Sequence, residues 1–316
     1  MSALELVQVT KRFGNVTAVD GLSVTVPEGS LFGLIGPNGA GKTTTFGLIA
    51  GFLKPTSGEI RVHGHVLGAG TPRAGSLVAL PQDAEMPRRQ TATQALVVLG
   101  RLGGLDSATA LDRATRALDR VGIRDLAHKR VGLMSHGQRR RVAIAQTLLG
   151  EREIILLDEP TAGLDPLAAA ELRALVKGLA GERTIVFSSH NLAEVEALCD
   201  RAAIIARGKL ISVGTMDELR SAGGLVRVLL GAVPADGLGG VVEQVRRVPG
   251  VRSARPAGDD PKAVDVEVDD KHAGGPDAVA SELLKQLLMA GIVIRSVERG
   301  KSLEARFIED AQRSET

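Results

Sequence analysis

The stretch that decides the fold is LFGLIGPNGAGKTTTFGLI, residues 31–49. It begins with an apolar run typical of a buried strand, continues through a glycine-rich turn at 36–41, and ends in a run with helical character from Lys42. The pattern G-x-x-x-x-G-K-[ST] is matched there by Gly36, Gly41, Lys42 and Thr43. A glycine-rich turn between a strand and a helix lets backbone N–H groups surround a polyanion, and the helix start adds its positive dipole end. We therefore predict a nucleotide phosphate-binding loop, with a mere glycine-rich turn as the alternative.

Two side chains at the end of this turn extend the prediction from phosphate to metal ion. Lys42 is expected to reach the terminal phosphates of a nucleotide as a point charge. The hydroxyl group of Thr43 is expected to complete the shell of Mg²⁺, a hard cation that prefers oxygen ligands. The sequence thus predicts a site for a magnesium–nucleotide complex.

Length and composition limit the classes of protein to consider. At 316 residues the chain is longer than one compact core usually serves, so two domains are expected. A net charge of +2 argues against a broad basic face for nucleic acid, and a single cysteine, Cys199, excludes disulfides and cysteine-based zinc sites within one chain. The first ten residues mix polar and apolar types and no apolar run reaches about 18 residues, so neither a signal peptide nor a membrane span is expected.

Two carboxylates end a second apolar run, EIILLDE, at residues 153–159. Ligands of parallel α/β sheets bind at the carboxyl ends of the strands, so Asp158 and Glu159 are predicted to face the phosphate loop. Strand alternation would place them on opposite sides, with Asp158 in the Mg²⁺ shell and Glu159 accepting a hydrogen bond from the attacking water. The alternative is that they cap a following helix. His190 follows a predicted strand at 184–188, and its ring N–H is expected to meet the γ-phosphate at the same edge.

Three other groups of residues leave alternatives open. Phe13 falls in a predicted turn, residues 10–15, and is either a core anchor or a flat face for a purine. His63 and His65 are predicted to be surface histidines in a turn rather than a metal pair. The arginines at 139–141 are predicted to be solvated rather than a nucleic-acid patch, because successive helical residues point in different directions.

The middle of the chain, from about 86 to 150, changes from short strands to helices. Thr91 and Gln94 have the spacing of a capping box before an apolar run, and residues 107–121 carry apolar residues at helical spacing. We therefore predict an all-helical insert in a strand–helix domain.

Taken together, these motifs resemble those of the nucleotide-binding subunits of ATP-binding cassette (ABC) transporters, and more narrowly the ATPase subunits of ABC-2 type drug and antibiotic exporters of the daunorubicin-resistance kind. The resemblance covers about residues 4–219 and rests on seven elements in the family's order. They are Phe13 at the adenine-stacking position, the Walker A loop at 36–43, Gln82 of the Q-loop, the signature sequence at 134–138, Walker B at 154–159, the D-loop Gly163-Leu164-Asp165 and the switch histidine, His190.

The resemblance implies a P-loop NTPase α/β fold with a helical subdomain, and an ATP site shared by two copies packed head-to-tail. One copy would bind ATP through Phe13, Gly36, Pro37, Asn38, Gly39, Ala40, Gly41, Lys42, Thr43 and Thr44. The second copy would supply trans contacts from Ser135, His136, Gly137, Gln138 and Asp165. Catalysis is implied for Lys42, Gln82, Glu159 and His190, and Mg²⁺ coordination for Thr43, Gln82 and Asp158.

One position departs from the family pattern. The commonest signature reads Leu-Ser-Gly-Gly-Gln, whereas this chain has Met134-Ser135-His136-Gly137-Gln138. Exporter-type members often vary at the third position, and the glycine that approaches phosphate most closely, Gly137, is kept. ATPase activity is therefore expected to survive the change.

The last third of the chain predicts a separate small domain. The nucleotide-binding domain is predicted at 1–222 and an accessory domain at 223–316, with elements in the order strand, helix, two strands, helix, strand. This order suits a ferredoxin-like α+β sandwich with its last strand at 292–297. Exporter ATPases that this chain resembles often carry such a domain, ending in a stretch like Ser302-Leu303-Glu304. Regulation, dimer contact and passive stabilisation are its open roles.

The function implied by the resemblance is that of the ATP-hydrolysing subunit of an exporter, working at the cytoplasmic face of the cell membrane. Its expected partners are a second copy of itself and a separate polytopic permease; ATP and Mg²⁺ are expected, and nucleic acid is not. An importer ATPase stays open as an alternative, because it shares every catalytic residue. A soluble ABC protein acting on ribosomes or DNA fits less well, since the chain has one phosphate loop and too few cysteines for zinc modules.

Overall fold

The computed structural model describes residues 1–68, 76–221, 225–234, 237–258, 260–269, 272 and 275–299. Its contacts divide the chain into two compact units, Met1–Gly214 and Thr215–Thr316, which are described in turn. The domain boundary predicted at 222/223 falls on residues that lie outside the described ones.

The first unit alternates strands with helices. Its strands are β1 (Ser2–Phe13), β2 (Val16–Pro27), β3 (Leu31–Ile35), β4 (Ser57–Val62), β5 (His65–Val66), β6 (Leu77–Leu80), β7 (Ile154–Leu157), β8 (Thr184–Ser189), β9 (Arg201–Ala206) and β10 (Lys209–Thr215), whose last residue opens the second unit. Its helices are α1 (Lys42–Ile49), α2 (Ala92–Leu102), α3 (Ser107–Arg120), α4 (His136–Thr147), α5 (Pro166–Leu179) and α6 (Leu192–Leu198), with short 3-10 helices at Arg124–Leu126 and Val131–Leu133.

The central sheet of this unit has the strand order β10-β9-β3-β8-β7-β6. β3 pairs in parallel with β8 and β9, and β7 pairs in parallel with β6 and β8. Every residue of β3, β7 and β8 is buried, which explains the apolar runs in all three strands, although β8 also buries Thr184, Ser188 and Ser189. Because the strands share one direction, the phosphate loop, the acidic pair and His190 all follow them at the same edge of the sheet.

A second sheet, in the order β2-β1-β4-β5, carries Phe13. β1 and β2 form an antiparallel hairpin whose pairing continues to Phe13 opposite Val16. The turn predicted at 10–15 is therefore wrong in extent, since only Gly14 and Asn15 remain as the turn. β2 passes close to the phosphate loop, where a Cβ on Gly41 would lie 2.5 Å from the carbonyl oxygen of Ala18.

The predicted helical insert is present as α2, α3 and α4. The hydroxyl of Thr91 accepts the N–H of Gln94, and the Gln94 side chain accepts the N–H of Thr91, so the predicted capping box is confirmed. The helix predicted at 107–121 is confirmed to within one residue. Alanine-rich buried faces, at Ala92 and Ala95 of α2 and Ala110, Ala114 and Ala117 of α3, let these two helices pack closely.

The second unit opens with α7 (Met216–Ser221) and continues through β11 (Leu225–Leu230), α8 (Leu238–Arg246), β12 (Val251–Pro256), β13 (Ala263–Val268), α9 (Gly275–Met289) and β14 (Ile294–Arg299). Its sheet has the order β12-β13-β11-β14 with antiparallel neighbours, which is the strand order of a ferredoxin-like sandwich. Valine and leucine side chains of both α8 and α9 join those of the strands in one core. The last strand was predicted at 292–297, and in the structure it begins two residues later, at Ile294. The stretch Ser302-Leu303-Glu304 lies outside the described residues.

Among the residues described, no helix is both long enough and apolar enough to cross a membrane.

Candidate nucleotide-binding and catalytic site

The phosphate loop joins β3 to α1 in a conformation that requires glycine at both ends. A Cβ on Gly36 would lie 2.4 Å from the carbonyl oxygen of Ile205, and Gly41 has a φ of +102°. The middle of the loop, residues 37–39, is exposed, whereas Gly36 is buried. A turn that is tightly packed at its ends and open in its middle leaves its middle residues accessible to a ligand.

Lys42 lies against this loop and is 5% exposed. Its Nζ donates to the carbonyl oxygens of Gly36 at 2.7 Å and Pro37 at 3.2 Å, and lies 3.2 Å from Oε1 of Glu159. The ammonium group is therefore held by the loop and a carboxylate rather than by water. Two residues predicted from separate motifs meet in one ion pair.

Glu159 stands between Lys42 and His190. Its Oε2 lies 3.0 Å from Nδ1 of His190, while its other oxygen pairs with Lys42. The Glu159 side chain is 10% exposed and the His190 side chain 53%, so the ring forms the open side of the cluster. Fold and sequence together place a cation, a carboxylate and an imidazole at the carboxyl edge of the sheet.

Strand alternation, the predicted basis for separate roles of Asp158 and Glu159, is wrong. β7 ends at Leu157, so both residues lie beyond the strand, and strand alternation does not separate them. Glu159 instead has a φ of +41°, a conformation that non-glycine residues rarely adopt. The alternative that the pair caps a helix is wrong, because the N-cap of the next helix, α5, is Asp165.

Asp158 is buried and hydrogen-bonded to two hydroxyl groups. Ser188 donates its hydroxyl to Oδ1 of Asp158, and Thr43 also bonds this carboxylate. Burial raises the pKa of the Asp158 carboxyl, and the bonds from Ser188 and Thr43 oppose that rise. A carboxylate beside a threonine hydroxyl is an oxygen donor set that suits Mg²⁺.

Gln82 follows β6, and the acidic pair follows the neighbouring strand β7. Arg140 joins these two segments. The Arg140 guanidinium is buried and donates to the backbone oxygens of Gln82 at 3.0 Å and Asp158 at 3.1 Å. The prediction of solvated arginines at 139–141 is therefore wrong for Arg140. Its burial results from contacts with the backbone oxygens of residues 81–82 and 158–160, which the spacing of residues on α4 does not predict.

Two predictions outside this edge have different outcomes. Phe13 is 48% exposed at the end of β1, so it is not a core anchor, and the Lys11 ammonium lies 5.0 Å from its ring centroid. His63 lies in a turn as predicted but is partly buried and pairs with Glu28 and Glu153. The described residues contain no group of three or more histidine, cysteine, aspartate or glutamate side chains that could together hold a metal ion.

Known proteins are similar to this chain over most of the nucleotide-binding unit. A family model described as ABC transporter matches residues 19–162. The linearmycin resistance ATP-binding protein LnrL of Bacillus subtilis (strain 168) is 37% identical over 220 residues, which are 69% of this chain and 71% of LnrL. The daunorubicin/doxorubicin resistance ATP-binding protein DrrA of Streptomyces peucetius is 32% identical over 302 residues, which are 95% of this chain and 89% of DrrA.

Solved structures show the same fold. The structure of cbiO1 from Clostridium perfringens, part of the ABC transporter complex cbiONQ, superposes with a TM-score of 0.63 at 28% identity, covering 69% of this chain and 90% of that one. The chain belongs to the ATP-binding proteins of ABC transporters. The predicted family and the P-loop NTPase fold are confirmed, and the protein is an ABC ATPase that binds nucleotide.

The signature residues of this ABC ATPase begin α4. Ser135 is the N-cap: its hydroxyl accepts the N–H of Gln138, whose side chain accepts the N–H of Ser135 in return. His136 has Nδ1 3.1 Å from the carbonyl oxygen of Gly163, in the D-loop of the same chain. Asp165 is the N-cap of α5 and accepts the N–H of Ala168. In the described residues, Ser135, Gln138 and Asp165 thus form helix caps, and His136 links the signature sequence to the D-loop.

Sequence reasoning missed two residues that support the ABC ATPase site. Ser188 accepts the N–H of Glu159 at 2.9 Å while it donates to Asp158. Its signal was a serine directly after the apolar residues Ile185, Val186 and Phe187 of a predicted buried strand, where a polar side chain needs a partner. Arg140 is the other, and the sequence carried no signal that separates it from Arg139 and Arg141, since a buried residue lies four positions after each of them.

Proposed function

We propose that this ABC ATPase hydrolyses Mg²⁺-bound ATP at a site shared by two copies of the chain, and thereby drives export of a small molecule through a separate membrane permease. The names of the relatives support export, since LnrL and DrrA are resistance ATP-binding proteins. A drug, an antibiotic or a lipid-like molecule is the class of cargo that fits them.

The observation that carries the proposal is the contact of Lys42, Glu159 and His190 beside the phosphate loop. A hydrolytic site needs a cation for the phosphate charge, a carboxylate for the attacking water and a donor for the developing charge on the transferred phosphoryl group. Glu159 links the other two: its Oε1 lies 3.2 Å from Nζ of Lys42, and its Oε2 lies 3.0 Å from Nδ1 of His190.

Each group has a role in the proposed reaction. The loop from Gly36 to Thr44 surrounds the phosphates with backbone N–H groups, and the exposed ring of Phe13 stacks on adenine. Lys42 binds the terminal phosphates. Glu159 orients and deprotonates the water, and His190 donates to the γ-phosphate.

Mg²⁺ fits the oxygen groups beside the loop. Asp158, the Thr43 hydroxyl and the side chain of Gln82 would hold it, and a dication there would favour the ionised form of a carboxyl whose pKa is raised by burial. Bound Mg²⁺ supplies charge that offsets the negative phosphate oxygens.

A second copy packed head-to-tail would complete the site. Ser135, His136, Gly137 and Gln138 stand at the exposed start of α4, and Asp165 at the exposed start of α5. Helix starts carry positive dipole ends that favour phosphate. Closure of two copies on two ATP molecules would convert phosphate contacts into a movement that the permease uses.

The permease partner also fixes the proposed location, which is the cytoplasmic face of the cell membrane. We further propose residues 1–222 as the catalytic domain and 223–316 as an accessory domain with a regulatory or dimer-contact role. Nucleic acid is not a proposed partner.

The experiment that tests the catalytic proposal replaces Glu159 with Gln. E159Q should bind ATP with near-normal affinity, lose more than about 100-fold in turnover and accumulate an ATP-bound dimer, because the amide cannot accept the water's proton. The matched control is E153Q, at the other end of the same strand with a side chain 65% exposed, which should keep normal turnover. Near-normal hydrolysis by E159Q would contradict the proposal.

The transport proposal is tested by isolating the tagged chain from solubilised native membranes and identifying what accompanies it by mass spectrometry. The expected companion is a polytopic membrane protein without its own phosphate loop. Recovery with ribosomal proteins or DNA would overturn the exporter function and leave the ATPase chemistry intact.

A further inference from the structure

Arg140 is a buried cation to which the proposed reaction assigns no role. It is 7% exposed, and burial lowers the pKa of its guanidinium. Guanidinium has five N–H donors in a fixed plane. All five face backbone carbonyl oxygens: Nε that of Pro160 at 2.8 Å, Nη1 those of Gln82 at 3.0 Å and Pro81 at 3.5 Å, and Nη2 those of Asp158 at 3.1 Å and Glu159 at 3.2 Å.

These carbonyls belong to the two segments that leave the sheet after β6 and β7. The strands are paired as far as Leu80 and Leu157, and one more ladder-like bond joins the Asp158 N–H to Leu80 O at 3.0 Å. Beyond that point the two segments are joined by hydrogen bonds from the Arg140 guanidinium instead of by strand pairing. It holds the Gln82 segment and the acidic segment together although neither is in a strand.

The backbone of Glu159 depends on this arrangement. Its φ of +41° is sparsely populated, and such a conformation persists only where the surroundings determine it. The Glu159 N–H is bound by Ser188 Oγ at 2.9 Å, and its carbonyl oxygen is bound by Arg140 and by the N–H of Ala162. This backbone conformation sends the Glu159 carboxylate towards Lys42 and His190.

We propose that Arg140 is a positioning residue for ATP hydrolysis, which from α4 holds Glu159 in its working conformation and ties it to Gln82. It acts through backbone oxygens and does not touch ATP. Because one guanidinium bonds both segments, a displacement of the first turns of α4 or of the Gln82 segment also displaces the backbone of Glu159. This inference rests on the proposed role of Glu159 as the base.

The test compares Arg140→Met with Arg141→Met. Both remove a guanidinium from α4, but Arg141 bonds Val121 O and Glu171, away from the acidic segment. R140M should lower kcat about 10- to 100-fold, because misplacing a catalytic group by about 1 Å costs on that order, and should leave KM for ATP within about twofold. R141M should keep kcat within about twofold. R140K, which keeps the charge but only three donors, should fall between R140M and wild type.

A double variant separates positioning from general destabilisation. In the E159Q background, R140M should cause less than about a twofold further loss of turnover, because its effect passes through the carboxylate already removed. Backbone hydrogen–deuterium exchange should be compared between the wild-type protein and R140K. Residues 158–165 should exchange faster in R140K, whereas exchange in α3 should be unchanged. If R140M fails to fold, R140K carries both measurements.

Two outcomes would overturn the inference: kcat of R140M and R140K within about twofold of wild type, or full additivity of R140M with E159Q. Normal turnover by E159Q alone would instead defeat the proposed role of Glu159, whatever the Arg140 variants do.

Discussion

Two sets of residues in the first unit, both predicted to contact ATP, are built in different ways. The catalytic edge, defined as Lys42, Asp158, Glu159 and His190, consists of charged and polar side chains that contact one another or the phosphate loop. The signature edge, defined as Ser135, Gln138 and Asp165, consists of side chains that bond the first turn of their own helices.

This difference between the two edges indicates that each would contribute something different to the proposed ATP site. In the proposed mechanism, the catalytic edge supplies the cation, the carboxylate base and the imidazole donor for phosphoryl transfer. The signature edge offers capped, exposed helix starts, whose N–H groups and dipoles suit a phosphate arriving from outside the chain. Variants at the two edges should therefore fail in different ways.

The largest effect is expected at the catalytic edge, for Lys42→Ala. The loss of the buried ammonium group that is proposed to bind the phosphates should weaken ATP binding at least tenfold and reduce turnover by about 100-fold or more. Lys177→Ala, at an exposed position in the last turn of α5, is the control and should leave both unchanged. ATP affinity by isothermal titration calorimetry decides the point, and unchanged affinity in K42A would count against the phosphate-loop assignment.

Asp158→Asn should separate activity from stability within the same edge. Mg²⁺-dependent turnover should fall by about 100-fold, since the amide carries no charge for the ion. The melting temperature at pH 7 should nevertheless rise, because the amide carries no charge for burial to penalise.

The sign follows from the pKa of Asp158, which burial raises in the folded chain. A raised pKa means that the protonated form stabilises the fold, and that this contribution is lost as the pH rises through the folded value. D158N removes that loss. Its advantage should shrink as the pH is lowered towards the ordinary value of 3.8, and a melting temperature below wild type at pH 7 would refute the account.

A smaller effect is expected at the link between the signature and the D-loop. His136→Gly removes the hydrogen bond to Gly163 O and should lower kcat about fivefold, the equivalent of roughly 1 kcal/mol for one hydrogen bond. His136→Asn can place its amide N–H where Nδ1 stands, and should keep most of the activity. Equal kcat values for the two variants, in steady-state assays at saturating ATP, would show that the link has no role.

Much of this molecule is predictable because local patterns decide it. The strand, glycine turn and helix at 31–49 follow from an apolar run, residues without side chains and a helix start. The capping box at Thr91 and the order of elements in the second unit follow in the same way.

What could not be predicted depends on contacts between distant segments. Helical spacing alone does not say which of the arginines at 139–141 meets a ring of carbonyls, because those carbonyls come from residues 81–82 and 158–160. Glu159, with its positive φ, is likewise hydrogen-bonded by the distant residues Ser188 and Arg140, and nothing in EIILLDE predicts that conformation. The extent of β1 depends on its partner β2, so a turn was expected where pairing continues.

The central claim is that one ATP site is made by two copies, and mixing two inactive variants tests it most directly. Lys42→Ala damages the catalytic edge, and Ser135→Arg places a bulky charge at the signature edge. Each variant alone should be inactive. Mixed in equal amounts, half of the dimers are mixed pairs with one intact site of two, so ATP hydrolysis should return to about a quarter of the wild-type rate. No recovery in the mixture, with dimers of both variants shown to form, would contradict the shared site.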